Sequence, residues 1–237
     1  EALGVASAIT FDPQHKCRLT LDRSACFAKV HEWNRVTEML GGLPSRVVSD
    51  DPRLGADHTY LCAEAINSGG AVGSDEETLR SLFQESLQYA EQLNDPFRQV
   101  RALSGLAALE VTDDPQSAQA TLNKALALQD KHSVSWPPLA IAVFRVRRAM
   151  SPSDDLRAVV HQLLHGTEPV LRADVQVRLL EEWVDMEITD DQWDAAALLL
   201  EELVQKARII GNPLSEAEAM YQRAHVCAML DQPEQQE

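Results

Sequence analysis

Aromatic residues make up only 5% of this 237-residue chain, and alternating β-branched runs are scarce, so there is little from which to build a sheet. Basic residues are also short, 21 Lys and Arg against 37 Asp and Glu, for a formal charge of -16. Such a charge repels phosphate backbones and anionic lipid surfaces within a Debye length, which argues against nucleic acid and membrane partners. Long apolar runs are missing: AAALLL at 195–200 is followed at once by Glu201, where a membrane helix needs roughly 20 apolar residues. Cys17, Cys26, Cys62 and Cys227 are scattered without a C-x-x-C pair. That argues against a zinc ribbon or a disulfide framework and reads as reduced, mostly buried thiols. No G-x-S-x-G occurs and no cysteine stands beside a histidine in a nucleophile motif, HKC at 15–17 being too little, so no catalytic residue is expected.

What the chain does have is Ala, Leu, Gln and Glu, unbranched side chains that lose little freedom in a helix, and 45% hydrophobic residues, enough for a core. A turn followed by a helix start recurs in HEWNRVTEML (31–40), SDEETLRSLF (74–83), TDDPQSAQATL (112–122), SDDLRAVVHQLL (153–164), TDDQWDAAALLL (189–200) and LDQPEQQ (230–236). Alignment puts Val36, Leu79, Ala118, Ala158, Ala196 and Gln236 at one equivalent position, at intervals of 43, 39, 40, 38 and 40 residues. Trp33 and Trp193, or Pro115 and Pro233, fall three residues before it. A second helical segment lies between successive anchors, so the unit is a helical hairpin.

Apolar periodicity of 3.6 predicts helices at 17–30, 33–41, 53–68, 75–93, 96–111, 115–130, 137–149, 154–165, 169–188, 192–210 and 214–230. Pro96, Pro137, Pro169 and Pro213 open four of them, and Gly166 and Gly211 close two. One hairpin is too thin to bury its own apolar face, so the expected fold is all-α, a right-handed α-solenoid of stacked antiparallel hairpins. Residues 1–17 read as an N-terminal extension and 18–237 as a single helical-repeat domain. The sequence begins at Glu1 and not at Met, which suggests a piece of a longer protein. SGGAVGS (68–74) lacks the Lys-Ser or Lys-Thr of a phosphate loop and reads as a flexible connection.

The segments SLFQESLQYAEQLNDP (81–96), SAQATLNKALALQD (117–130) and SEAEAMYQRAHVCAMLDQPEQQ (215–236) resemble the tetratricopeptide repeat, whose second helix carries small, large and small residues at spacings of four and three. Ala118, Leu122 and Ala125 match that triplet, and Phe83 with Ser86 matches its latter part. The period is nearer 40 than the family's 34, and of its first-helix Trp, Gly and Tyr only Gly105 has a counterpart. The resemblance implies a groove lined by first helices that binds peptides or other proteins without chemistry. Its carboxylate clamp of Lys and Asn cannot be carried over, because the arginine-bearing first helices at 96–111, 137–149, 169–188 and 214–230 lack asparagine.

Three patterns compete for function. Asp190, Asp191 and Asp194 spell D-D-x-x-D, which resembles the magnesium-diphosphate motif of isoprenoid synthases, but no second metal motif follows. Asp190 or Asp191 as a cap on the helix at 192 explains them more simply. His161 and His165, four apart, could be two legs of a zinc site, but no third ligand is evident. Arginines recur on first helices of an acidic chain, and Arg101, Arg145, Arg148, Arg178 and Arg223 are the candidate partner-binding residues. Guanidinium groups in a groove suit an acidic peptide or a terminal carboxylate; internal pairing with Asp and Glu is the alternative. The expected function is a non-catalytic, cytoplasmic protein-interaction scaffold or regulatory arm with no cofactor and no metal. A helical metal-dependent enzyme and a self-assembling module are the competing readings.

Overall fold

Four helices begin at an Asp-Pro step, where proline's missing N–H costs nothing in the first turn and the aspartate caps the exposed amides. Asp12 accepts from the His15 amide at 3.0 Å, Asp51 from Arg53 at 2.9 Å, Asp95 from Arg98 at 3.1 Å and Asp114 from Gln116 at 3.0 Å. The computed structural model describes residues 12–29, 32–68, 76–150, 154–165 and 171–230, and every regular element in it is an α-helix. Gly69, Gly70, Gly73, Gly166, Pro169, Pro233 and Gln236 lie outside the described residues. The chain divides into two compact units, Glu1–Met150 and Ser151–Glu237, where the sequence predicts one repeat domain.

The first unit holds α1 (Pro13–Lys29), α2 (Trp33–Gly41), α3 (Ser45–Asp50), α4 (Pro52–Asn67), α5 (Glu76–Gln92), α6 (Pro96–Asp113), α7 (Pro115–His132) and α8 (Leu139–Met150). Helix α1 begins at Pro13, ahead of the expected start at 17, and α3 is a short helix that periodicity does not predict. The core comes in three successive layers. Cys17, Leu21, Val36, Leu40 and Leu54 join α1, α2 and α4; Tyr60, Leu79, Phe83 and Leu106 join α4, α5 and α6; Val100, Leu122, Ala125 and Val146 join α6, α7 and α8. Helices α4 and α6 each serve two layers. Full burial of each large side chain is worth about 1.5–3 kcal/mol, so no pair could stand without its neighbours.

The second unit holds α9 (Asp154–His165), α10 (Ala173–Thr189), α11 (Trp193–Ile210) and α12 (Pro213–Leu230), each packed on the next in chain order. Leu156, Val160, Leu179, Val184, Leu200, Leu203, Ala219 and Val226 are among its buried apolar residues. Gly211 ends α11 at φ +69°, a left-handed conformation that favours glycine.

The recurring anchor marks buried positions at Val36, Leu79, Ala118 and Ala196. At Ala158 it fails: that residue is exposed, and Leu156 and Val160 on either side face the core. The matched tetratricopeptide positions Ala118, Leu122, Ala125, Phe83 and Ser86 are all buried. Gly105 has a packing reason, since a Cβ there would lie 2.4 Å from Cε1 of Phe83. That glycine lets the Phe83 ring lie against the backbone of α6.

Candidate functional site

The most concentrated polar structure in the first unit is built on Asp57, whose side chain on α4 is only 11% exposed. Its Oδ2 accepts from Nη1 of Arg18 at 2.8 Å and Nη2 of Arg98 at 2.7 Å, and its Oδ1 from Nε of Arg98 at 3.1 Å and Nη2 of Arg101 at 2.8 Å. These arginines come from α1 and α6, so a single carboxylate ties α1, α4 and α6 together. Arg98 also pairs with Asp95 and Arg18 with Asp22, which balances the guanidinium charges against Asp22, Asp57 and Asp95. Burial pushes the Asp57 carboxyl up, but the Arg98 hydrogen bond and the charges of Arg101 and Arg98 outweigh it and hold the group below the usual carboxylate range. With both oxygens engaged and its proton affinity lowered, Asp57 is a clamp and not a general base.

An aromatic cluster covers this clamp. The Arg101 guanidinium lies 4.1 Å from the Tyr60 ring centroid. Tyr60 makes edge contacts with Phe83 at 5.8 Å and Trp136 at 6.0 Å. Trp136 donates its indole N–H to the Ser104 hydroxyl at 3.1 Å. Around α4 and α6 this space is filled by the protein's own residues.

A second feature of this unit is a cavity of about 490 Å³ over α4, walled by α2, α3 and α5. Leu40, Leu43, Val48, Ala65, Ile66 and Leu82 form its apolar walls, and His58, Cys62, Glu85 and Tyr89 supply polar groups. The Cys62 sulfur is 3.7 Å from Nε2 of His58, a pair separated by one helical turn. Burial, reinforced by the charge of Glu85, pushes the Cys62 thiol up to about 11. Burial also lowers His58, against the opposing influence of a hydrogen bond to the Leu40 carbonyl and the charge of Glu85. Near neutral pH the pair is a thiol beside a neutral imidazole, the reverse of an activated cysteine nucleophile. The site suits binding and not acyl transfer.

The second unit has its own buried carboxylate, Glu187 on α10, which is 1% exposed. It accepts from Arg157 of α9 at 2.8 Å through both Nε and Nη2, and from the Trp183 indole N–H at 2.6 Å. Arg157 also donates to Asp190 at 3.0 Å. That pairing occupies the first aspartate of the D-D-x-x-D stretch. Asp191 stands at φ +57°, and Gln192, not either aspartate, is the N-cap of α11, which has no side-chain cap hydrogen bond. The expected capping role is therefore not what these carboxylates do; only Asp194, in the first turn, retains the favourable dipole position. His161 and His165 stack at 4.7 Å between centroids, and His165 lies 3.8 Å from Glu202. Among the described residues, no three His, Cys, Asp or Glu side chains are placed to hold a metal ion.

The candidate arginines divide between the units. Arg101 is committed to Asp57, Tyr60 and the Ala56 carbonyl, with its Nε buried and unpaired, because the clamp beneath it outcompetes solvent. Arg145 and Arg148 on α8 are half-buried; Arg178 on α10 is half-buried beside Glu181; Arg223 on α12 is exposed. Arg101, Arg145 and Arg148 thus belong to the first unit, and Arg178 and Arg223 to the second. Sequence reasoning missed Asp57 and the His58–Cys62 pair. The available signals were an acidic residue between Ala56 and Tyr60 on a buried helix face, and a spacing of four identical to that of His161 and His165.

No family model matches the chain, and no curated protein matches its sequence. Among the described residues, no helix is long and apolar enough to cross a membrane.

Proposed function

We propose that the chain is a non-catalytic scaffold, a tetratricopeptide-like right-handed solenoid that binds a peptide or partner domain along its first helices. One observation carries this reading: α12, a first helix in the repeat order, displays Leu214, Met220, Tyr221, Met229 and Leu230 to solvent with Arg223 among them. Among the described residues the entire first unit exposes only Phe97 and Met150 of its large apolar side chains. Exposed apolar side chains and a guanidinium on one helix suit a partner segment that carries apolar residues and a carboxylate. Arg178 on α10, also a first helix, extends the same chemistry. Enzyme chemistry lacks comparable support, since the thiol is held protonated and Asp190 is engaged by Arg157.

Panning a random displayed-peptide library against the protein tests the reading. An enriched acidic and apolar motif is expected, binding at least about tenfold more weakly to the Arg223→Glu variant, the loss of one charge-assisted contact. Tyr221→Ser should weaken it comparably. No enriched motif, or one indifferent to both substitutions, rejects the reading. Sedimentation velocity on the same variants separates self-assembly: a dimer abolished by Tyr221→Ser would assign this face to a second copy of the chain.

A further inference from the structure

We propose that the cavity over α4 is a binding site for a small lipophilic amine, distinct from any partner surface. Its volume, about 490 Å³, falls in the range of small-molecule sites, and its combination of apolar walls with a few convergent polar groups is the usual composition of such sites. The cavity exists because α3 interrupts the regular hairpin order. Val48 from that short helix and Leu43 before it form a wall, while Leu82 and Tyr89 of α5 form the wall opposite. Both walls rest on α4, which supplies the floor at Thr59, Cys62, Ala65 and Ile66. Gly55 keeps this arrangement: a Cβ there would lie 2.7 Å from Cε2 of Tyr89 and push that ring off α4.

The polar groups decide the ligand's chemistry. His58 lines the cavity with Nε2 3.7 Å from the Cys62 sulfur, and burial favours its neutral form, in which one ring nitrogen is an acceptor. Glu85 and Tyr89 lie one turn apart on the α5 wall of the cavity, where the Glu85 carboxylate offers acceptors only. Glu85 lies exposed on the α5 wall, and its charge acts on both His58 and Cys62, which places it near the polar end of the cavity. No cationic residue lines the site. An apolar chamber with acceptors and a negative charge at one side selects a ligand with an apolar body and a positively charged donor. A carboxylate ligand of the same shape meets repulsion from Glu85 and finds no cation.

Isothermal titration with three probes of one shape, 4-phenylbutylamine, 4-phenylbutanol and 4-phenylbutyrate, tests the assignment. Saturable one-to-one binding of the amine is expected, with the alcohol weaker by about tenfold and the acid not binding. Glu85→Gln, at an exposed position that folding tolerates, should bring the amine down to the alcohol's affinity. Ser49→Trp, on the exposed rim of α3, should abolish binding of both while leaving Tm unchanged. Failure of the amine to bind, equal binding of amine and acid, or an affinity indifferent to Glu85→Gln overturns the proposal. These outcomes do not depend on Arg223 or Tyr221, so the cavity and the scaffold reading fail or survive separately.

Discussion

The two units solve the same problem, a carboxylate inside a helical core, with opposite stoichiometry. Around Asp57 one carboxylate collects three guanidiniums drawn from two other helices, with Asp22 and Asp95 restoring neutrality at the periphery. Around Glu187 one guanidinium, Arg157, serves two carboxylates, and a Trp indole supplies the further donor. The first arrangement ties α1, α4 and α6 together, and Arg98 and Arg101, 17% and 11% exposed, cannot leave it without stranding a buried charge. The second ties α9 to α10 alone, and Arg157, 31% exposed, can still reach water. The lesson is that a buried acid fixes as many elements as it has partners on different elements, whatever its own burial.

The largest effect should come from removing the two acids in turn. Asp57→Ala leaves Arg101 buried without a counter-charge and Arg98 with Asp95 alone, and should cost about 3–5 kcal/mol. Glu187→Ala frees a half-exposed Arg157 that keeps Asp190, and mainly orphans the Trp183 N–H, a cost of about 1–3 kcal/mol. Hydrogen exchange resolved by peptide reads each unit separately. Equal losses would show that partner number does not set the cost, and a larger loss in the second unit would reverse the comparison.

Glycine substitutions give the next step down. Gly105→Ala drives a Cβ into the Phe83 ring, 2.4 Å from Cε1, and should cost about 1–3 kcal/mol through overpacking. Gly211→Ala meets no neighbour within 4 Å, so only the strain of its φ of +69° remains, about 1 kcal/mol. Chemical denaturation of the two variants checks the order. If Gly211→Ala proves the costlier, the contact between α5 and α6 is softer than its geometry implies.

The helices were legible because their signals are local: Pro96 and Pro213 at starts, Gly211 at an end, a 3.6 period between. Helix α3 was not, because SRVVSD is six residues long and too short for a period. Ala158 misled because it holds the anchor's spacing while the core positions, Leu156 and Val160, lie two residues to either side. Asp57 was invisible as a clamp since its partners Arg18, Arg98 and Arg101 lie 39 to 44 residues away, and no local pattern tells an inward aspartate from a capping one. The same gap turned Asp190 from an expected cap into the partner of Arg157. The cavity depended on α3 and fell with it.

The smallest effect is the most discriminating, because pH should move the two units in opposite directions. In the first unit burial holds His58 below its ordinary value. Its contribution is fully present above about pH 6.5, where the unfolded imidazole is neutral, and is lost as pH falls through the lower folded value. Asp57 follows the same sign further down, its contribution present above about pH 4 and lost as pH falls through its depressed folded value. In the second unit burial raises Glu181, and the charges of Glu218 and Asp185 add to it, while the Ser215 hydrogen bond and Arg178 oppose. A raised carboxyl stabilises below its unfolded value of about 4.3 and loses that contribution as pH rises through the folded one. As pH falls below about 6.5, protection in α4 should therefore fall, and as it falls toward about 4.3, protection in α10 should rise, once exchange is corrected for its intrinsic pH dependence. His58→Gln should flatten the first slope and Glu181→Gln the second, each without touching the other. Parallel slopes, or a slope that survives its own substitution, would mean that these two groups do not set the response and that the contrast between the units stops at their clamps.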